Sequence, residues 1–279
     1  MSRHAARADP GDRIQTEYLV AAGLAAVAAP GLAVAAHAGR VPLLAGIGLL
    51  QALLVLAWVG GTGLPGRIGG LLIGAGVAGS ADAVLYARDR ASLAGLLGVL
   101  GLTVPAVLVH QLCRGVVRVR VTESLSGVVA LATAGTSAAS YLALSRAAEG
   151  SRLVSAAVVA TGVGLTAGRL VDLVLPVPRF AQEVPHGLFA LGVSVALGAA
   201  AGAAHALGAP RLDVGEGALL GAGTAGVAAL VAVGVGYLAY TAEPRPLRFG
   251  WLALTYLRVG LPLASVGPVA YLLGLWAVG

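Results

Sequence analysis

Apolar residues in this chain fall in long, nearly unbroken runs, separated by short stretches where arginines, prolines and acidic residues gather. A helix needs about 20 apolar residues to cross roughly 30 Å of bilayer hydrocarbon. Runs of that length lie near 17–37, 41–61, 67–87, 91–113, 124–145, 153–175, 187–207, 217–240 and 251–278. The pattern predicts an all-α fold, a polytopic transmembrane helix bundle of about nine spans, with eight and ten as the neighbouring counts. Runs five and eight are rich in alanine, glycine and threonine rather than leucine. The ninth run is the longest; Pro262 and Pro268 interrupt it, and Arg258 near its start predicts a tilted helix or one that enters the bilayer a turn later. Pro105 stands in the middle of the fourth, where a proline kink is expected.

The polar connections at 114–123, 176–186 and 241–250 hold about ten residues each, too few to bury a core of their own. Two units follow: residues 1–16 as a disordered cytoplasmic tail, and residues 17–279 as a single transmembrane helical domain. The first 38 residues also have the outline of a secretory signal, with a basic start and Ala36-His37-Ala38 at a cleavage-like place. Pro30 and the length of the run favour an uncleaved first helix.

Composition agrees. The 279 residues are 58% hydrophobic and 11% charged, and mean hydropathy is +0.91. Globular chains carry about 25% charged residues, so a soluble enzyme, a disordered chain and a disulfide scaffold are excluded together. All 18 basic residues are arginine, which reads as high-GC codon usage; the net charge of +6 predicts no nucleic-acid partner. With the N-terminus inside, inner segments hold ten arginines and outer segments six. That bias places the N-terminus in the cytoplasm of a cell that carries the chain in its plasma membrane. Cys113 is the only cysteine, and the five histidines are scattered. No metal ligand set and no cofactor are expected.

Ionisable groups inside a span are costly, near +3 kcal/mol at the centre on insertion scales. Asp82, Arg169, Asp172 and Arg258 qualify. Arg169 and Asp172 are three residues apart, so they share a helix face. They form either a neutralised structural pair or a site in which Arg169 holds an anionic group and Asp172 orients it. Asp82, near the outer end of span three, is either a solvated helix terminus or, if it points inward, a proton or cation site. His110 ends span four and is followed by Arg114, Arg118 and Arg120, which orient the chain and attract anionic head groups. The connection after span six brings Arg179, Glu183 and His186 close to Arg169 and Asp172. The candidate ligand-binding set is therefore Arg169, Asp172, Arg179, Glu183, His186, His110, Arg114 and Asp82, on a polar site facing mainly the cytoplasm.

Small residues let helices approach closely in lipid. Gly70-x-x-x-Gly74, Gly198-x-x-x-Gly202 and Gly217-x-x-x-Gly221 have the spacing for tight packing, within the chain or between copies.

The stretches Val109-His110-Gln111-Leu112, Arg120-Val121-Thr122-Glu123-Ser124-Leu125 and Gly168-Arg169-Leu170-Val171-Asp172-Leu173 resemble those of uncharacterised multi-pass membrane proteins of high-GC actinobacteria. That resemblance lends no activity. The span count and small-residue style are also faintly similar to phosphatidate cytidylyltransferases, the CDP-diacylglycerol synthases. That family supports metal-dependent nucleotidyl transfer with a C-terminal Lys-Asp segment followed by Pro-Gly-His-Gly-Gly and Asp-Arg. This chain has no lysine and no His-Gly-Gly, and Gly234-Val235-Gly236-Tyr237 holds no acid. Three functions follow in order. The first is a small transporter or lipid-handling protein, whose partners are membrane lipids with anionic head groups. The second is a structural or assembly subunit, docked on another chain or on a copy of itself. The third is a diverged cytidylyltransferase-like enzyme, and the sequence leans away from an enzyme.

Overall fold

The computed structural model describes residues 10–114, 120–175, 177–179, 187–241 and 250–279. These form ten helices: α1 (Pro10–Ala38), α2 (Arg40–Gly61), α3 (Arg67–Tyr86), α4 (Ala94–Cys113), α5 (Val121–Leu144), α6 (Gly150–Val174), α7 (Leu188–Ala206), α8 (Val214–Thr241), α9 (Gly250–Ser265) and α10 (Gly267–Val278). In hydrocarbon a backbone must satisfy its own N–H and C=O groups, and helices do so within each segment. Among the described residues nine spans are long and apolar enough to cross a membrane, with α9 and α10 together making the ninth. The protein is an all-α, multi-pass integral membrane protein.

The ninth span breaks at Val266, between Pro262 and Pro268, as the two prolines predict. The first helix differs from expectation. It starts at Pro10, inside the stretch expected as a tail, with a proline in the opening position that helices favour. The first nine residues of that tail lie outside the described residues.

Two groups of helices stand side by side. α6 packs against α1, α7 and α8, and α5 packs against α2, α3 and α4, while α9 and α10 touch both groups. α5 and α6 are the inner helices, with 72% and 67% of their spans buried, against 28% for α4 and 22% for α7. This explains the composition of run five: α5 faces protein, so small and hydroxylated residues replace leucine along it. Large apolar side chains such as Val27, Leu72, Leu97, Leu102 and Leu272 point outward. Such a surface suits lipid rather than water.

All three glycine pairs are used inside the chain. A Cβ at Gly202 would collide with the Gly217 carbonyl, and one at Gly221 with the Gly198 carbonyl, so α7 and α8 cross backbone to backbone. Gly70 and Gly74 make room for Leu64 and Leu131.

Candidate functional site

The chain alternates direction from span to span, so α1, α3, α5, α7 and α9 begin, and α2, α4, α6 and α8 end, at one face. Near that face Arg169 of α6 and Arg258 of α9 converge on one aromatic ring. Their guanidinium carbons lie 5.4 Å and 5.6 Å from the centroid of Tyr18 on α1. Tyr18 and both arginines are buried. Positive charge over an aromatic face is attracted by the ring quadrupole, more strongly where water is excluded. The Arg169 side chain is also hydrogen-bonded to Tyr18.

Each arginine has a further anchor. Arg169 Nη2 donates to the backbone carbonyl of Arg258 at 3.2 Å. That carbonyl is available because its helical partner would be the N–H of residue 262, which is a proline. Arg258 Nη1 lies 3.0 Å from Glu17 Oε2, an ion pair by distance whose angle falls short of a hydrogen bond. Arg258 Nε is buried and meets no acceptor among the described residues. The expected tilt of span nine is therefore unnecessary: Arg258 sits two turns into α9, turned to the interior and opposite an acid.

Asp172 has a structural task. Its Oδ1 accepts the Gly187 N–H at 2.8 Å, at the residue that precedes α7. An acid there satisfies a free amide and opposes the positive helix end. Arg179 and Gly187 face each other in an isolated antiparallel bridge, and the Leu188 N–H donates to the Pro178 carbonyl at 2.9 Å. The connection after α6 thus closes on itself, and Arg179 is near enough to Tyr18 to act on it electrostatically. Glu183 and His186 lie outside the described residues. A cavity of about 20 Å³ borders Arg169, Asp172, Gly187 and Ser194, room for one water-sized group.

His110 and Arg114 belong to a second cluster at the same face. α4 packs on α3 and α5 only, so this pair does not join Arg169. The His110 ring lies over Gly66 and Gly69 at the start of α3, where any side chain would strike it. Arg114 Nη1 donates to Gln111 Oε1, Gln111 Nε2 to Ser124 Oγ, and Ser124 Oγ to the Pro65 carbonyl, each at 2.9 Å. This chain of bonds ties the ends of α4 and α5 to the α2–α3 connection.

Asp82 is not a solvated helix end. It is buried, and Gln51 Nε2 of α2 donates to its Oδ1 at 2.9 Å. The helix end itself is one turn further on, where Arg40 and Arg146 donate to the Tyr86 carbonyl at 2.6 Å and 2.9 Å.

Sequence reasoning missed Glu17, Tyr18 and Gln51. Glu17 and Tyr18 stood at the edge of the first apolar run, where a polar residue reads as solvated. Gln51 carries no charge; its isolation within Leu49-Leu50-Gln51-Ala52-Leu53 was the available signal.

No protein-family model, no curated protein and no solved structure matches this chain.

Proposed function

We propose that this membrane protein is a small transporter or lipid-handling protein whose ligand carries an anionic group that docks at the Arg169–Arg258 cluster. The observation that carries the reading is the convergence of two buried guanidiniums on Tyr18, with Arg258 Nε lacking an acceptor. The buried Arg169 and Arg258 stand near Asp172 and Glu17, and the exposed Arg179 adds a positive charge at the rim of the site. An anionic oxygen would supply the acceptor that Arg258 Nε lacks among the described residues, because it accepts charge-assisted hydrogen bonds from guanidinium groups.

An apolar groove of about 330 Å³ runs between α1 and α6, lined by Ala25, Ala29, Pro30, Gly162, Val163 and Leu170. Leu170 adjoins Arg169 in the chain. A lipid with its head group at the arginines has a place for an acyl chain there, so an anionic phospholipid is the ligand this reading favours. The cavity beside Arg169 lies between α6, α7 and α8 and has room for one water-sized group. The ten-to-six arginine bias supports a cytoplasmic N-terminus, so the cluster faces the cytoplasmic leaflet of the plasma membrane.

A second reading, a structural subunit whose charges only hold the bundle, is favoured by the Asp172 contact with Gly187 and by the Arg169 contact with the Arg258 carbonyl. Lipid exchange separates the two. Protein reconstituted in nanodiscs of mixed phosphatidylcholine and phosphatidylglycerol is purified, and its tightly held lipid is quantified. The proposal expects enrichment of phosphatidylglycerol, lost when Arg258 is replaced by methionine. Retained lipid that mirrors the bulk mixture supports the structural reading.

A further inference from the structure

The cluster at Arg169 leaves Asp82 unexplained. α3 packs on α2, α4 and α5, and the described titratable or charged groups on these four helices are few. Arg40 on α2 is held at the Tyr86 carbonyl, as is Arg146 beyond α5. His110 on α4 covers Gly66 and Gly69 at the opposite end of α3, where Arg67 also stands. On α5, Glu123 pairs with Arg120 at the helix start, and the Tyr141 hydroxyl donates to the Leu263 carbonyl at 3.0 Å. Asp82 itself meets the Gln51 amide, which bridges Asp82 Oδ1 and the Gly135 carbonyl at 2.9 Å and 3.0 Å.

An acid among apolar helices, held by one neutral amide and no cation, is costly when ionised, because a buried charge without a counter-charge loses its hydration uncompensated. Addition of a proton removes that penalty. The polarity of the contacts selects the proton over a metal ion. Sodium, like other hard cations, takes several oxygen ligands, whereas Gln51 turns an N–H donor toward both neighbouring oxygens. The reversed amide would place its carbonyl against two acceptors.

We infer that Asp82 is an intramembrane proton-binding site. With Oδ1 engaged by Gln51, Oδ2 takes the proton from hydronium at the Tyr86 end of α3 and returns it to water there. Only the O–H bond forms and breaks. Asp82 is four residues from Tyr86, about 6 Å along the helix, so exchange needs water to reach one turn into the bundle. This site belongs to the α2–α3–α5 group and does not rest on the anion-binding reading of the Arg169 cluster.

Infrared difference spectroscopy tests it on the full chain in phosphatidylcholine vesicles, between mildly acidic and mildly alkaline buffers. The wild type is expected to lose a protonated carboxylic C=O band reversibly and gain carboxylate bands. Asp82→Asn, which keeps an acceptor for Gln51, is expected to lack that band. Gln51→Leu is expected to retain it at a higher frequency, because its C=O no longer accepts a hydrogen bond. This second variant identifies the band as Asp82 even where Asp82→Asn folds poorly. Identical difference spectra for wild type and Asp82→Asn, or no band displacement in Gln51→Leu, overturn the inference. So does loss of the band at constant pH when potassium is exchanged for sodium, which would show a metal-ion site.

Discussion

Arg169 donates to the main-chain carbonyl of Arg258, 89 residues further along the chain, at 3.2 Å. The bond exists because Pro262 has no N–H to offer that carbonyl. A buried carbonyl without a donor costs about 1–3 kcal/mol, so the proline inside α9 also creates a place for a guanidinium from α6. The arginine that the sequence pairs with Asp172 within span six is thus built into the junction of α1, α6 and α9.

This pairing makes a specific prediction. Arg169→Met removes the donor and leaves the Arg258 carbonyl unsatisfied, a loss of about 1–3 kcal/mol from that group alone. Pro262→Ala restores an N–H at the right position. Unfolding in detergent micelles should therefore show Arg169→Met rescued in part by Pro262→Ala, with a coupling of about 1 kcal/mol or more. Strictly additive effects would show that the carbonyl has another donor.

The role of Asp172 can be separated from charge. Asparagine presents a carbonyl oxygen where the carboxylate now accepts the Gly187 N–H, and leucine presents none. Asp172→Asn should cost less than about 1 kcal/mol and Asp172→Leu about 1–2 kcal/mol, as for loss of a helix N-terminal acceptor. Equal losses in the same unfolding assay would mean that the negative charge itself holds the site.

The glycine crossing of α7 and α8 predicts a sharp contrast between two positions on one helix. At Gly202 a side chain would enter the backbone of α8, while at Gly192 it would meet nothing within 4 Å. Gly202→Leu should lower thermal stability and broaden the size-exclusion profile in detergent, and Gly192→Leu should leave both unchanged. A tolerated leucine at Gly202 would contradict the close crossing.

Orientation is testable through the single cysteine. Cys113 is exposed at the end of α4, at the face where α1 begins. With that face in the cytoplasm, a membrane-impermeant maleimide should label Cys113 only after the cells are opened. Labelling of intact cells would invert the topology.

The sequence announces the spans because lipid demands unbroken apolar helices, and Pro262 and Pro268 announce the break in the ninth. It does not announce where α1 begins, since Pro10–Thr16 is polar and its helix carries no apolar run. Intramembrane charges are legible as residues: Asp82, Arg169, Asp172 and Arg258 all stand out by cost. Their partners are not legible, because pairing depends on how each helix is rotated about its axis. In lipid the outer and inner faces are both apolar, so the side toward the bundle leaves little mark in the pattern. That is why Asp82 reads in the sequence as a solvated end, and why Glu17 and Tyr18 read as no more than the edge of the first apolar run.

Native mass spectrometry of the protein drawn gently from its own membrane tests the anion-binding account most directly. The comparison is with Arg169→Met combined with Pro262→Ala, which removes the charge yet supplies the carbonyl with a donor. The account predicts a retained anionic phospholipid on the wild type and its loss from the folded double variant. The same lipid on both proteins, or a stoichiometric protein partner with no lipid on either, would contradict it and make the arginines structural supports of the bundle.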